Sequence, residues 1–351
     1  MLLSVALTAI LLCLVKPIVA VMSTPEEAVS GTITYLTICF LGIPFITAYN
    51  IISSIFRGMG DSKSPMYFIA IACAFNIALD YLFIGLLGFG PAGAALGTTL
   101  SQTISVLISL TMICRKKMIP GFRFSDLKPV RTMMGGLLKI GFPIAMQDGF
   151  IQIAFIVITI IANRRGLNDA AAVGIVEKMI SLFFLVPSSM LSTVSALSAQ
   201  NIGAGKHERA SQTLACATTI AVSYGIVVSI LMQFAGSTAV GLFSSDADVI
   251  RLGTQYLHSY IWDCIFAGIH FCFSGYFCAY GQSGISFLHN IISVLCARIP
   301  LAYLASKYVP DNLFPMGCAA PAGSLLSVVI CVAAFIWMKR KLPVFQSGEN
   351  A

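Results

Sequence analysis

The sequence predicts an all-α polytopic membrane protein of about ten transmembrane helices in two pseudo-symmetric bundles, a truncated first bundle of four helices and a complete second bundle of six. Three observations carry this prediction. The chain is 58% hydrophobic and only 10% charged, with mean hydropathy +0.90, whereas a soluble domain carries about 25% charged residues. The apolar residues fall in runs close to the roughly 20 residues that cross a bilayer. The second half also repeats the first at a constant offset of 221 residues. That offset pairs Gly60 with Gly281 and Ser62 with Ser283. It also pairs Tyr35 with Tyr256, Leu36 with Leu257, Phe45 with Phe266, Ser53 with Ser274 and Phe56 with Phe277. A gap-free register with matching hydropathy points to a duplicated chain.

The apolar runs lie at about 2–22, 31–56, 66–87, 92–114, 138–162, 171–196, 210–242, 249–278, 284–306 and 315–338. Glycine and proline punctuate their ends, at Pro25, Pro65, Gly88 to Gly93, Gly203 to Gly205, Gly281, Pro310 and Pro315. The first run, Leu2 to Met22, lacks a basic leading segment and is read as a span rather than a cleavable signal.

Charge in the connections sets an orientation. One side carries Arg57 and Lys63, then Arg115, Lys116, Lys117, Arg123, Lys128, Arg131 and Lys139, then Lys206 and Arg209, then Lys339, Arg340 and Lys341. The other carries Glu26, Glu27, Asp246, Asp248, Arg251, Lys307 and Asp311, with Arg164 and Arg165 as exceptions. Cations concentrate on the cytoplasmic side of a membrane protein. The expectation is therefore a multi-pass protein of the inner (plasma) membrane with both termini cytoplasmic. The formal net charge of +7 follows from these loops, so lipid is the expected surrounding partner and nucleic acid is not.

The stretch 116–139 is the one long basic connection, and it divides the chain into a first bundle at 1–115 and a second at 140–341, followed by a tail at 342–351. Its end near Pro129–Leu138 reads as an amphipathic cytoplasmic helix. By the 221 offset, the helix starting near residue 210 maps to a position before residue 1, and the pair 138–196 has no upstream counterpart. The repeat thus implies a chain that begins part-way along a helix and lacks an N-terminal helix pair, whose place partner helices would have to take.

The eleven cysteines are scattered singly, among them Cys39, Cys73, Cys216, Cys296 and Cys331, with no C-x-x-C pair. They read as small helix-packing residues. Gly203-Ala-Gly-Lys206 lacks phosphate-loop spacing, and His207 stands where that motif needs Ser or Thr. Without a nucleotide motif, H-E-x-x-H or G-x-S-x-G, the chain is expected to be no enzyme, to need no cofactor, and to draw any transport energy from an ion gradient.

Several motifs occur in order. Arg57-Gly-Met-Gly-Asp-Ser-Lys-Ser-Pro65 is followed by Asn76-Ile-Ala-Leu-Asp80 and Gly90-Pro-Ala-Gly-Ala-Ala-Leu-Gly-Thr98. Then come Gly141-Phe-Pro143 and Gln200-Asn-Ile-Gly-Ala-Gly-Lys206. Together they resemble the multidrug and toxic compound extrusion (MATE) transporters, over essentially the whole chain. The resemblance implies paired six-helix bundles that export cationic, lipophilic compounds in exchange for Na⁺ or H⁺. It also implies a cation site in the first bundle, to which Asn50, Asn76, Asp80 and Thr98 correspond. A further aspartate of that site would lie in the region this chain lacks.

The residues themselves support part of this. An ionisable group within an apolar run needs a partner or a function. Asp80 lies deep in the third run, and Asn76 is one turn before it on the same face. A carboxylate among neutral oxygens can hold Na⁺ or take a proton. No other metal is expected. In the second half Asp148 with Gln147, Glu177, and Asp263 with His270 are candidates for lining a cavity that attracts a cationic small-molecule substrate. Some members of the resembling family carry a glutamate two turns past Gly-x-Pro, but Ile151-Gln152 stands there in this chain. Arg298, just before Pro300, is read as neutralising one of the acids. His207, His258 and His289 are read as solvated or interfacial. Two other readings stand beside a drug antiporter, namely a flippase of lipid-linked precursors and a non-transporting remnant.

Overall fold

The computed structural model describes residues 1–21, 26–116 and 130–341, and these residues are helical apart from short turns. Hence Pro25, the cations Lys117, Arg123 and Lys128, and the tail 342–351 lie outside the described residues. The chain forms two compact units, Met1–Lys128 and Pro129–Ala351. Among the described residues nine helices are long and apolar enough to cross a membrane, and a helix pair bent by 43° adds a tenth.

In the first unit α1 (Leu2–Val21) packs on α2 (Glu26–Gly58). Helices α2 and α3 (Lys63–Asp80) both pack on α4 (Gly90–Lys116). A π-helical segment, Tyr81–Leu86, extends α3. The buried centre is small: Ile52, Phe56, Phe68 and Val106, with the Phe56 and Phe68 rings edge-on at 5.5 Å. Lipid-facing helices gain little from burying apolar surface, so interhelical hydrogen bonds contribute to the packing. Ser105 Oγ donates to the Phe68 carbonyl at 3.2 Å, and Thr99 Oγ1 to the Ile38 carbonyl at 3.4 Å.

The second unit begins with α5 (Arg131–Asn163), α6 (Leu167–Phe183), α7 (Leu185–Gly203) and α8 (His207–Gly241). It continues with α9 (Ala247–Tyr260), α10 (Asp263–Ala279), α11 (Ser283–Ser293) and α12 (Ile299–Tyr308). It closes with α13 (Phe314–Gly317) and α14 (Ala319–Lys341). A second π segment, Val294–Arg298, joins α11 to α12. Helix α10 lies at the centre, against α7, α8 and α14. The expected separate amphipathic helix is not seen: Arg131 to Leu138 is the uninterrupted first part of α5. Several helices likewise begin before their apolar runs. Hydropathy marks the part in hydrocarbon, whereas backbone hydrogen bonding carries the helix on into the polar surface layer.

Interior prolines free backbone carbonyls, in one case at a helix break. Proline has no N–H to give to the carbonyl four residues earlier, which must find another donor. Pro187 frees the Phe183 carbonyl at the α6–α7 break, where Tyr224 Oη donates to it at 3.2 Å. Pro143 frees the Lys139 carbonyl, which accepts from Ser283 Oγ at 3.3 Å. No proline lies at the α9–α10 bend. There α8 supplies donors instead, Gln233 Nε2 to the His258 carbonyl at 2.9 Å and Ser229 Oγ to the Ile261 carbonyl at 3.1 Å.

The 221-residue offset reappears in backbone detail. The turn after α2 bonds Gly60 N–H to the Arg57 carbonyl at 3.0 Å and Asp61 N–H to the Phe56 carbonyl at 2.9 Å. The turn after α10 bonds Gly281 N–H to the Cys278 carbonyl at 3.0 Å and Gln282 N–H to the Phe277 carbonyl at 2.8 Å. Each donor and acceptor is displaced by the offset. The turn after α7 has the same form, with Gly205 N–H on Ile202 and Lys206 N–H on Asn201. The three glycines adopt φ of 88°, 72° and 70°, the left-handed conformation that closes a helix in this motif.

Candidate functional site

In the first unit Asp80 is the last residue of α3, immediately before the π segment. Its Oδ1 and the Asn76 Nδ2 are both buried without a hydrogen-bond partner. Asp80 is held against α4 at Gly97, where a side-chain carbon would collide with Oδ1. The other two predicted members lie apart from this pair in their bonding. Asn50 Nδ2 donates to Ile46 on its own helix at 3.0 Å, and Thr98 Oγ1 to Ala94 at 3.1 Å, and both residues are exposed. The threonine turned toward α2 is the neighbour, Thr99. The structure therefore brings Asn76 and Asp80 together as unsatisfied polar atoms, and leaves Asn50 and Thr98 bonded within their own helices.

In the second unit a buried polar cluster forms where the bent pair α9–α10 meets the second π segment. Arg298 donates to Tyr260 Oη. Its guanidinium lies 5.2 Å from the Phe155 ring centre and 5.6 Å from that of Tyr260. It reaches the Asp263 carboxylate at 3.9 Å, with side chains 13% and 1% exposed. This confirms Arg298 as the partner of one acid. The pair is loose, however: 3.9 Å is longer than a hydrogen bond, Arg298 Nε has no partner, and the Asp263 carboxylate has the Ser324 hydroxyl of α14 as its other polar neighbour. Glu177, from α6, is within electrostatic reach of Arg298, and its buried Oε1 also lacks a partner. Tyr256 and Tyr260 meet edge-on at 5.5 Å beside the cluster.

His270, one face along from Asp263, is 5% exposed with Nδ1 unpartnered. Its ring lies 5.6 Å from that of His289. His289 overturns its sequence reading, being fully buried rather than interfacial. Its Nε2 lies 2.9 Å from Ser274 Oγ and its Nδ1 3.2 Å from Ser327 Oγ. Ser327 gives its one hydroxyl proton to the His289 carbonyl. It must then accept from Nδ1–H, which leaves Nε2 to accept from Ser274. His258 is partly buried with Nε2 unpartnered, and so is not simply solvated either. His207 lies 3.1 Å from Tyr280 Oη.

Gln147 and Asp148 do not join the cluster. Gln147 is buried and its Oε1 accepts from Ser286 Oγ at 2.9 Å, while Asp148 is exposed. Sequence reasoning missed Tyr256, Tyr260 and Phe155 as cluster members. For the tyrosines a signal existed, since Tyr256, Tyr260 and Asp263 follow at helical spacing. For Phe155 there was none among the chain's 24 phenylalanines. Among the described residues no three His, Cys, Asp or Glu side chains converge as metal ligands, and the described cysteines are all free.

Arg165, an exception to the loop-charge pattern, is not a free cation. Its Nε pairs with Asp169 Oδ2 at 2.7 Å, and its other nitrogens donate to the carbonyls of Val309, Pro310 and Asn312. It fastens the α5–α6 turn to the loop between α12 and α13.

Known proteins match this fold. The solved structure described as "Crystal structure of MATE in complex with MaL6" superposes with a TM-score of 0.89 at 21% identity, covering 99% of this chain and 77% of that one, a likeness of fold. The "Probable multidrug resistance protein YpnP" of Bacillus subtilis is 31% identical over 297 residues, which make up 84% of this chain and 66% of that protein. The "FAD transporter" of Shewanella oneidensis is 25% identical over 326 residues, 90% of this chain and 71% of that protein. The chain thus spans about two thirds of the length of these relatives. A family model described as MatE matches residues 1–82 and 143–304. Those segments take in the α3 carboxylate and the α9–α10 bend, and with them the fold, the repeat and the motif order have one common source: the chain belongs to the MatE family.

Proposed function

We propose that this chain works as a secondary antiporter, exporting lipophilic, cationic compounds by alternating access in exchange for Na⁺ or H⁺. The observation that carries the reading is Asp80, a carboxylate in an apolar helix with a buried oxygen unpaired and an unpaired amide one turn away. A buried carboxylate left so is costly unless a cation or proton joins it. The π segment that starts at Tyr81 gives the helix a local irregularity of a kind often found at functional sites. Cation or proton binding at Asp80 would favour one conformer and substrate binding the other, and that difference in affinity couples the two. Asp148, the exposed acid on α5, suits attraction of a cationic substrate better than Asp263 or Glu177, which are committed to the buried cluster.

The proposed location is the plasma membrane with both termini cytoplasmic. The turns at Gly60, Gly205 and Gly281 fall on the cation-rich side, and Arg165 on the opposite side is neutralised by Asp169. The flippase reading is disfavoured, because Arg298 is already engaged by Tyr260 and Asp263.

The test is efflux of a fluorescent lipophilic cation from vesicles under an imposed Na⁺ or H⁺ gradient. Asp80→Asn should abolish gradient-driven efflux while leaving the protein folded and inserted. Equal efflux by wild type and variant would remove the Asp80 claim. No efflux by either would remove the antiporter reading for this chain.

A further inference from the structure

The cluster in the second unit has an unbalanced charge. Arg298 brings one positive charge, while Asp263 and Glu177 bring two carboxyl groups. The Arg298 side chain is 13% exposed and that of Asp263 1%. Arg298 does not hold Asp263 tightly, since the 3.9 Å approach is longer than a hydrogen bond and leaves Arg298 Nε without a partner, while the hydroxyl beside the carboxylate is that of Ser324 on α14. It does not grip Glu177 either, whose Oε1 is buried and unpartnered.

Among the described residues the elements packed around Glu177 turn no second lysine or arginine toward it, and His258 of α9 faces Gly236 on α8 instead. Helix α9 presents Tyr256 and Tyr260, and α10 presents Asp263 with His270 further along. Helix α5 contributes Phe155 and has no titratable residue between Gly149 and Ala162. Helix α8 contributes Tyr224, which is spent on the Phe183 carbonyl beside Cys264. Lys178, next along α6, is exposed. One guanidinium can neutralise one carboxylate. A second ionised carboxylate would leave a net negative charge in apolar surroundings, which is far more costly than binding a proton.

We propose that Arg298 is a shared counter-cation, paired with one of Asp263 and Glu177 at a time, so that together the two acids hold one exchangeable proton. This site is separate from Asp80 and deepens the antiporter reading, on which its role in coupling rests. Arg298 sits at the end of the π segment, with its guanidinium beside the Tyr260 and Phe155 rings, 3.9 Å from Asp263 and within electrostatic reach of Glu177. An arginine stays protonated throughout, so the proton that comes and goes belongs to the acids.

The proposal fixes a count that infrared spectroscopy reads. The full chain in lipid nanodiscs is titrated near neutral pH, and the C=O band of protonated carboxylic acid is followed with H₂O-to-D₂O exchange. One protonated acid is expected from this cluster. Glu177→Gln and Asp263→Asn should each remove that band, because the remaining acid pairs with Arg298. Arg298→Gln should raise it about twofold, because both acids then protonate. Asp80→Asn should leave this contribution unchanged. Thermal unfolding of each variant, with Glu177→Asp as a conservative control that keeps the band, checks that the fold survives. Measured in the Asp80→Asn background, so that Asp80 adds no band of its own, a band that persists in Glu177→Gln or in Asp263→Asn overturns the shared counter-cation, as does an Arg298→Gln variant with no added band. The count does not depend on transport. Absence of efflux would overturn the antiporter reading alone, and a wrong band count would overturn this site alone.

Discussion

Three arginines show how burial changes what a charge contributes. The Arg251 and Asp248 side chains are 56% and 64% exposed, and their 3.4 Å contact is a surface pair. Arg251→Ala should change stability by less than about 1 kcal/mol. Arg165 is 5% exposed, pairs with an Asp169 side chain that is 12% exposed, and bonds three carbonyls of another loop. Arg165→Met would strand that carboxylate and free those carbonyls, and should cost about 3–5 kcal/mol. Unfolding of both variants in detergent checks the contrast. Arg298 is the intermediate case, buried yet only loosely paired, which fits a functional role better than a purely stabilising one. At Asp80 the decisive neighbour is Gly97. A side chain there would meet Oδ1, so Gly97→Val should displace the carboxylate and cost about 1–3 kcal/mol by overpacking. Efflux of that variant should lose its dependence on the ion gradient.

At the scale of elements, the turns hold the repeat together. Gly60, Gly205 and Gly281 share one backbone form and positive φ. Alanine at any of them should cost about 1 kcal/mol, a lowering of the thermal midpoint that a melting curve detects. Alanine at Gly58, whose surroundings are open and which lies within helix α2, should have no such cost. The helices themselves were legible from hydropathy, and all ten apolar runs became helix. Their ends were less so, because Arg131 to Leu138 is polar enough to look like linker yet continues α5. The π segments were not legible. They arise where a helix takes one more residue per turn, which leaves no mark on hydrophobic spacing over so short a stretch.

Across the whole molecule, the repeat preserved packing and let the polar chemistry diverge. Ser53 and Ser274, and Phe56 and Phe277, are buried alike at matching positions. Phe68 corresponds to His289, and each backbone carbonyl there accepts from a serine of the last helix of its unit, Ser105 and Ser327, although the register has slipped by one residue. The candidate site residues have no such counterparts: the offset sets Leu301 opposite Asp80, Ile77 opposite Arg298 and Gly42 opposite Asp263. The two units would then handle charge differently on one scaffold. Topology has its own test. A green fluorescent protein fused after Ala351 should fluoresce in intact cells, as it does only when folded in the cytoplasm, and a dark fusion of full expression would reverse the proposed orientation.

The sequence by itself determined the membrane class, the helix count, the duplication and the family resemblance, because hydropathy, turn glycines and motif order are local properties read along the chain. It also singled out Asp80, Asp263, His270 and Glu177, since a charged or titratable residue in an apolar run stands out without any partner being known. Only the tertiary structure decided which of them meet. It joined Glu177, Asp263 and Arg298 from three separate helical segments, set Asp148 outside that group, and buried His289 between two serines. The physical reason is that cost and partnership of a buried charge depend on what faces it across a helix interface, and helical spacing within one segment says nothing about the facing segment.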